Sequence, residues 1–469
     1  MPRNFSFFID DEGGELVERY EKYLSGAASG YFDVDEMERI VEYYLSYGRT
    51  KDSMQAIELG KRLHPTSGTL DMKRAKVCLA TGDTQKALRI LSGLVEDSDP
   101  EIAFLKIEAL AKLERVKEAY ALAKELIDNE EDEVDLVCVD LAMTFMSIRE
   151  FEYATRILKI GDDYNPKNID LLFDLAFCYE QQLMLDEAIL AYKRIIDMDS
   201  YVSEAWFNLG QVHFLNNQYD EAIEAYDYAL AINEKDSISL VQKAHAHFQL
   251  GHWEKAIEAY QEYVEIIPEK WQIWLFIGEC YEKLENFPEA LHYYKLSYRE
   301  MKDNYEALIG ISICLLEMEQ FQESMEYIQE ALKISNEMAD AWIYLAEAKI
   351  GLGEYEQALE AYHQAVSIDP KQPDSLLAMG NIYMDNANFE TALKFYELAH
   401  SYDCTLEYIE LFIAVASYYT EDYVKAATFL ELAINRNLDA PKLFLELCPD
   451  AQERFSKLTR LTDANDNVN

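Results

Sequence analysis

SEAWFNLGQVHFLNNQYDEAIEAYDYALAINEKD, residues 203–236, is the stretch on which the fold turns. Trp206, Leu209, Gly210 and His213 stand at i, i+3, i+4 and i+7, one face of a helix, A. Asn216 and Asn217 break the pattern. Tyr219, Ala222, Ile223, Tyr226 and Ala229 then repeat the same geometry in a second helix, B, which Asn233 to Asp236 end. Gly210 and Ala222 are small, which suits a close crossing of A over B, with Trp206 and Tyr226 filling the space that opens toward the ends.

The same small residue, followed four positions later by an aromatic or aliphatic one, recurs along the chain. Ala154, Ala188, Ala222, Ala256, Ala290, Ser324, Ala358, Ala392 and Ala426 are each 34 positions apart, so the chain is a repeat array. Upstream, Ala56, Ala87, Ala119 and Ala154 are spaced by 31, 32 and 35, and twelve units fit in all. One helix pair cannot cover its own apolar face, so neighbours must stack and the ends need covering. The expected organisation is a capping segment over 1–34, less regular repeats over 35–134, a regular array over 135–440, capping helices over 441–461 and a disordered tail over 462–469. In the first segment Leu16, Val17, Tyr20 and Leu24 form the covering face. Asp33 with Glu36 predicts a capping box opening a helix whose Met37, Ile40, Val41, Tyr44 and Leu45 point inward. Leu443, Phe444, Leu447, Phe455 and Leu458 cover the other end. Fewer than 30 residues follow the last repeat, too few for a catalytic domain.

Composition narrows the partners. With 88 Asp and Glu against 42 Lys and Arg, the net charge of −46 opposes binding to nucleic acid or anionic lipid. Half the residues are hydrophobic and only 10 are Pro, so the acidity belongs to a folding chain. No stretch approaches the roughly 18 apolar residues of a membrane span, and Phe5 to Ile9 is too short for an export signal. Seven cysteines without a CxxC pair (Cys78, Cys138, Cys178, Cys280, Cys314, Cys404 and Cys448) read as reduced thiols in a cytoplasmic protein.

Signs of chemistry resolve into scaffold. His245, His247 and His252 resemble a metal cluster, but residues two apart on a helix face different ways. The acidic run DNEEDEVD, Asp128 to Asp135, lacks the central Gly and spaced ligands of a calcium loop and reads as a solvated junction. GLGEYE from Gly351 has no third glycine and no preceding strand, so it is an A–B turn rather than a phosphate loop. No catalytic constellation, metal site or cofactor is expected.

Trp206/Leu209/Gly210/Ala222/Tyr226/Ala229, Trp274/Ile277/Gly278/Tyr281/Ala290/Tyr294 and Trp342/Leu345/Ala346/Ala358/Tyr362/Ala365/Pro370 resemble the tetratricopeptide-repeat (TPR) family over about residues 35 to 440. The resemblance implies an all-α, right-handed superhelical solenoid of antiparallel helix pairs, with a partner segment held on a concave face of A helices. Some members grip a terminal carboxylate with Lys and Asn on one A helix and Asn with Lys or Arg on the next. Asn208 and Asn381 lack those neighbours here, so a chaperone-tail clamp is not expected.

The A-helix positions pointing away from B are Phe173 and Phe177, then Phe207, Asn208, Gln211 and Phe214, then Gln242, His245, Phe248 and Gln249, then Phe276, Glu279 and Glu282. These are the candidate peptide-binding residues; the resemblance implies that Asn208, two residues after the large Trp206, hydrogen-bonds a ligand backbone, while the aromatics serve either the groove or internal packing. The expected function is an adaptor or scaffold, not an enzyme, binding a protein or peptide with basic and apolar residues. A peptide-responsive regulator and a hydrolase with a helix-borne carboxylate are the alternatives.

Overall fold

The computed structural model describes residues 11–27, 30–94, 100–267 and 270–452; for residues 11–13 only the backbone is described. It is all-helical, with no strand among the described residues. After α1 (Asp11–Leu24) come α2 (Val34–Ser46) and α3 (Thr50–Leu63), α4 (Gly68–Ala80) and α5 (Thr84–Ser92), and α6 (Pro100–Lys112) and α7 (Val116–Asp128). Next are α8 (Val134–Ser147) and α9 (Phe151–Tyr164), α10 (Ile169–Gln181) and α11 (Leu185–Met198), and α12 (Ser203–Leu215) and α13 (Tyr219–Ile232). Then follow α14 (Ser237–Gln249) and α15 (Trp253–Ile266), α16 (Trp271–Lys283) and α17 (Phe287–Glu300), and α18 (Tyr305–Glu317) and α19 (Phe321–Ile334). The last pairs are α20 (Ala339–Gly351) and α21 (Tyr355–Ile368), α22 (Pro373–Asp385) and α23 (Phe389–Tyr402), and α24 (Ile409–Tyr419) and α25 (Tyr423–Arg436), before α26 (Ala440–Leu447). Even-numbered helices from α2 to α24 are A helices and their successors B helices. The chain divides into two compact units, residues 1–239 and 240–469. None of the described helices is long and apolar enough to cross a membrane.

Every A–B turn has the same geometry. Its pivot is left-handed, with φ between +55° and +82°, at Gly48, Gly82, Glu114, Arg149, Leu183, Asn217, Gly251, Glu285, Glu319, Gly353, Ala387 and Glu421. The N–H after the pivot returns to a carbonyl five residues back, as in Gln218 to His213 at 2.9 Å and Glu354 to Lys349 at 2.8 Å. This Schellman closure satisfies the last carbonyls of the A helix and forces a conformation that only glycine adopts without cost. Stacking imposes it even on Leu183.

The first unit begins with α1 on α2, where Leu16, Val17, Tyr20 and Phe32 are buried with Met37, Ile40, Val41 and Tyr44. Leu24 is exposed instead, and Leu45 only partly buried. The expected capping box is present: Glu36 N–H donates to Asp33 at 2.8 Å, and Asp33 N–H to Glu36 at 3.2 Å. In the second unit α26 buries Phe444 beneath α24 and α25, whereas Leu447 is exposed. Phe455, Leu458 and the expected tail lie outside the described residues.

Two expectations change. Gly210 does not merely let backbones approach: a Cβ there would stand 2.6 Å from the Tyr226 ring, so the glycine is a seat for that tyrosine. Tyr294 is seated twice, since a Cβ on Gly278 or on Gly310 would lie 2.7 and 2.6 Å from its ring. The run at 128–135 is solvated only up to Glu133. Asp135 is buried and accepts Asn165 at 2.8 Å and Asn168 at 2.7 Å. Burial drives its carboxyl upward, but those amides and backbone N–H groups outweigh it and hold the group below its ordinary value.

Six cysteines are buried and Cys404 is exposed. Burial raises the Cys138 thiol to about 11 and those of Cys178, Cys280, Cys314 and Cys448 to about 12.

Candidate functional site

The inner row is organised by the seated tyrosines of the B helices, whose hydroxyls emerge among A-helix polar groups. In the first unit Tyr192 donates to Glu180 at 2.6 Å and Tyr226 to Gln211 at 3.4 Å. Phe173 lies edge-on to Tyr192 and Phe207 tilts against Tyr226, both at 6.0 Å, so these two rings are packing partners of the tyrosines. Asn208 is half-buried beside them. Phe177 meets Phe151 edge-on at 6.0 Å and Phe214 meets Tyr219 at 5.2 Å; Phe177 is exposed at 41%. Burial first, and Asp170 second, lift the Asp174 carboxyl to about 6.

In the second unit His245 and Phe276 are occupied internally. The His245 Nδ1 hydrogen-bonds the Tyr260 hydroxyl at 2.6 Å, and Phe276 stacks on Tyr260 while meeting the imidazole edge-on at 4.9 Å. Burial depresses the His245 pKa, which suits a neutral packing histidine. His247 lies 6.0 Å from His252, ring centre to ring centre. Gln242 is half-buried and Gln249 exposed.

Phe248, Glu279 and Glu282 converge. With Tyr294, Tyr305, Ile309, Gly310 and Asp340 they line a groove of about 360 Å³ on the A-helix face over α14, α16, α18 and the start of α20. Tyr294 donates to Glu282 at 2.7 Å and Tyr305 to Asp340 at 2.5 Å, so each hydroxyl fixes one carboxylate. Burial, then the neighbouring Glu282, raises the Glu279 carboxyl to about 7; Lys283 on the rim pulls weakly the other way. The groove therefore combines aromatic walls with acidic groups short of compensating cations.

Family models agree with this architecture. Those described as tetratricopeptide or TPR repeats match residues 241–305, 315–362 and 349–386, and one described as "Anaphase-promoting complex, cyclosome, subunit 3" matches 181–263. The chain is a tetratricopeptide-repeat protein.

Solved structures similar to this TPR chain include the APC/C hetero-tetramer Cut9–Hcn1, at 15% identity over 86% of this chain and 98% of that one, with a TM-score of 0.38. YrrB, a TPR protein with an unusual peptide-binding site, is 19% identical over 40% of this chain and 97% of its own, with a TM-score of 0.36. A TPR protein of Parabacteroides merdae is 17% identical over 53% and 97%, with a TM-score of 0.38. No curated protein matches.

Reading the sequence missed Tyr305, Ile309 and Asp340 because the inner row was followed only to Glu282. Continuing the same offsets into α18 reaches Ile309, whereas Tyr305 and Asp340 stand ahead of Leu308 and Trp342, the large residues of their repeats, and so lie outside the row. Asn381 accepts the Tyr396 hydroxyl at 2.8 Å, the contact Gln211 makes with Tyr226 five repeats earlier.

Proposed function

We propose that this TPR protein is a non-catalytic interaction scaffold that takes a polypeptide segment carrying basic and apolar residues on the A-helix face of its second unit. The observation behind this reading is the groove in which Phe248, Ile309 and Tyr305 stand beside Glu279, Glu282 and Asp340. The apolar wall offers an anchor, and the carboxylates favour a basic segment while a net charge of −46 steers it. A row of A helices presents such contacts at regular intervals, suiting an extended ligand.

Affinity purification from the native cell with mass spectrometry names the partner, and kinetics of the purified pair test the site. Phe248→Ala is expected to speed dissociation; Glu279→Gln with Glu282→Gln is expected to slow association and flatten its salt dependence. A partner bound by both variants as well as by the native chain at every salt concentration would show that the segment docks elsewhere.

A further inference from the structure

The first repeats contain a built cation site. Lys73 on α4 is buried, with its ammonium 2.6 Å from Glu42 on α2 and 3.8 Å from Glu101 on α6. Burial pulls its pKa down, but the two carboxylates, Glu42 foremost, more than reverse that and hold it above the ordinary lysine value. Measured back from the left-handed pivot of each turn, Glu42 stands six residues before Gly48, Lys73 nine before Gly82, and Glu101 thirteen before Glu114.

The same three positions over α16, α18 and α20 are Glu279, Gly310 and Asp340, six, nine and thirteen residues before Glu285, Glu319 and Gly353. The carboxylates are kept and the lysine is replaced by glycine. All three residues line the one groove of about 360 Å³. On the B helix beneath, buried Ile57 of the first repeats is replaced by Tyr294, whose ring rests on Gly310 and whose hydroxyl turns to Glu282. The exchange removes the internal ammonium: the Tyr294 ring lies where a lysine stem at 310 would begin, and the two carboxylates are left lining the groove. Neither Glu279 nor Asp340 has an ion-pair partner among the described residues.

We infer that the groove over α16, α18 and α20 is a subsite for a lysine side chain of the partner, whose ammonium enters between Glu279 and Asp340 where Lys73 stands in the first repeats. The subsite rests on the proposed capture of a polypeptide segment and adds the residue it selects. Tyr294 and Tyr305 flank the cation with ring surface while orienting the two neighbouring carboxylates.

The test uses the full chain and two pentapeptides, acetyl-Ala-Leu-Lys-Leu-Ala-amide and the same peptide with norleucine for lysine, titrated by calorimetry and by NMR. The lysine peptide is expected to bind at least about tenfold more tightly, the ratio expected for one partly desolvated charge pair. Glu279→Gln with Asp340→Asn should abolish that ratio without weakening the norleucine peptide. Gly310→Lys with Tyr294→Ile, which rebuilds the internal ammonium, should abolish it as well; the carboxamide pair decides the matter should this variant not fold. Equal affinity for the two peptides in the native chain, or a ratio surviving the carboxamide pair, would overturn the subsite while leaving segment capture standing. Binding of neither peptide at millimolar concentration would overturn both.

Discussion

The pairs α12/α13 and α20/α21 occupy the same register and solve one packing problem differently. In α12/α13, Gly210 seats the ring of Tyr226, and Trp206 is covered by Tyr228, stacked at a centroid distance of 4.3 Å. In α20/α21 the seat is Ala346 under Tyr362, and the positions from which Tyr228 covers Trp206, or Tyr293 covers Trp274 at 5.6 Å, are Gln364 and Ala361. A cleft of about 490 Å³ bounded by Trp342, Leu345 and Ala361 stands there instead. A repeat thus has an inner seat that must be filled and an outer cover that is optional. The two layers should respond unequally to substitution.

The strongest way to break the comparison is at the seat. Gly210→Val places methyl groups inside the Tyr226 ring and should cost about 3 kcal/mol by denaturant unfolding, whereas Ala346→Val should cost about half as much because its seat already holds a Cβ. Equal losses would mean the glycine has no seating role. Removing the cover is milder: Tyr228→Ala should cost about 1.5 kcal/mol, since the stacked ring is almost half exposed at 47%. The reciprocal change, Ala361→Tyr, should raise the unfolding free energy by about 1 kcal/mol if its ring reaches Trp342 as Tyr293 reaches Trp274. A loss of stability there would show that the cleft has the wrong shape for a ring. Smallest are the turns, where the pivot is Asn217 in one pair and Gly353 in the other. Gly353→Ala should cost about 1 kcal/mol and Asn217→Gly should change stability by only a few tenths, because asparagine tolerates the left-handed region.

Periodicity made the fold legible. Spacing of Ala, Gly and aromatic residues located both helices of each pair, because burial of a helix face leaves a mark at every turn. It did not reveal what a side chain does once buried. Tyr226 was expected to fill an end space and instead lies over Gly210 with its hydroxyl donating to Gln211; that depends on a rotamer, which spacing does not encode. The candidate site divided for the same reason. Phe248, Glu279 and Glu282 line one groove, but Phe173, Phe207 and Phe276 share the helix face with them and turn onto tyrosines of their own chain. Asp135 reads as one more acid in an acidic run until Asn165 and Asn168 come round from the following turn.

The buried thiols give the molecule a set of clocks. Cys78, Cys138, Cys178, Cys280 and Cys314 sit on five different A helices, each inaccessible and each too weakly acidic to form thiolate while its helix is packed. Alkylation of any one of them therefore waits for its own repeat to open. The rates, read peptide by peptide after exposure to a maleimide, would rank the local opening free energies along the chain without any engineered label, with exposed Cys404 reacting at once as the zero of the scale.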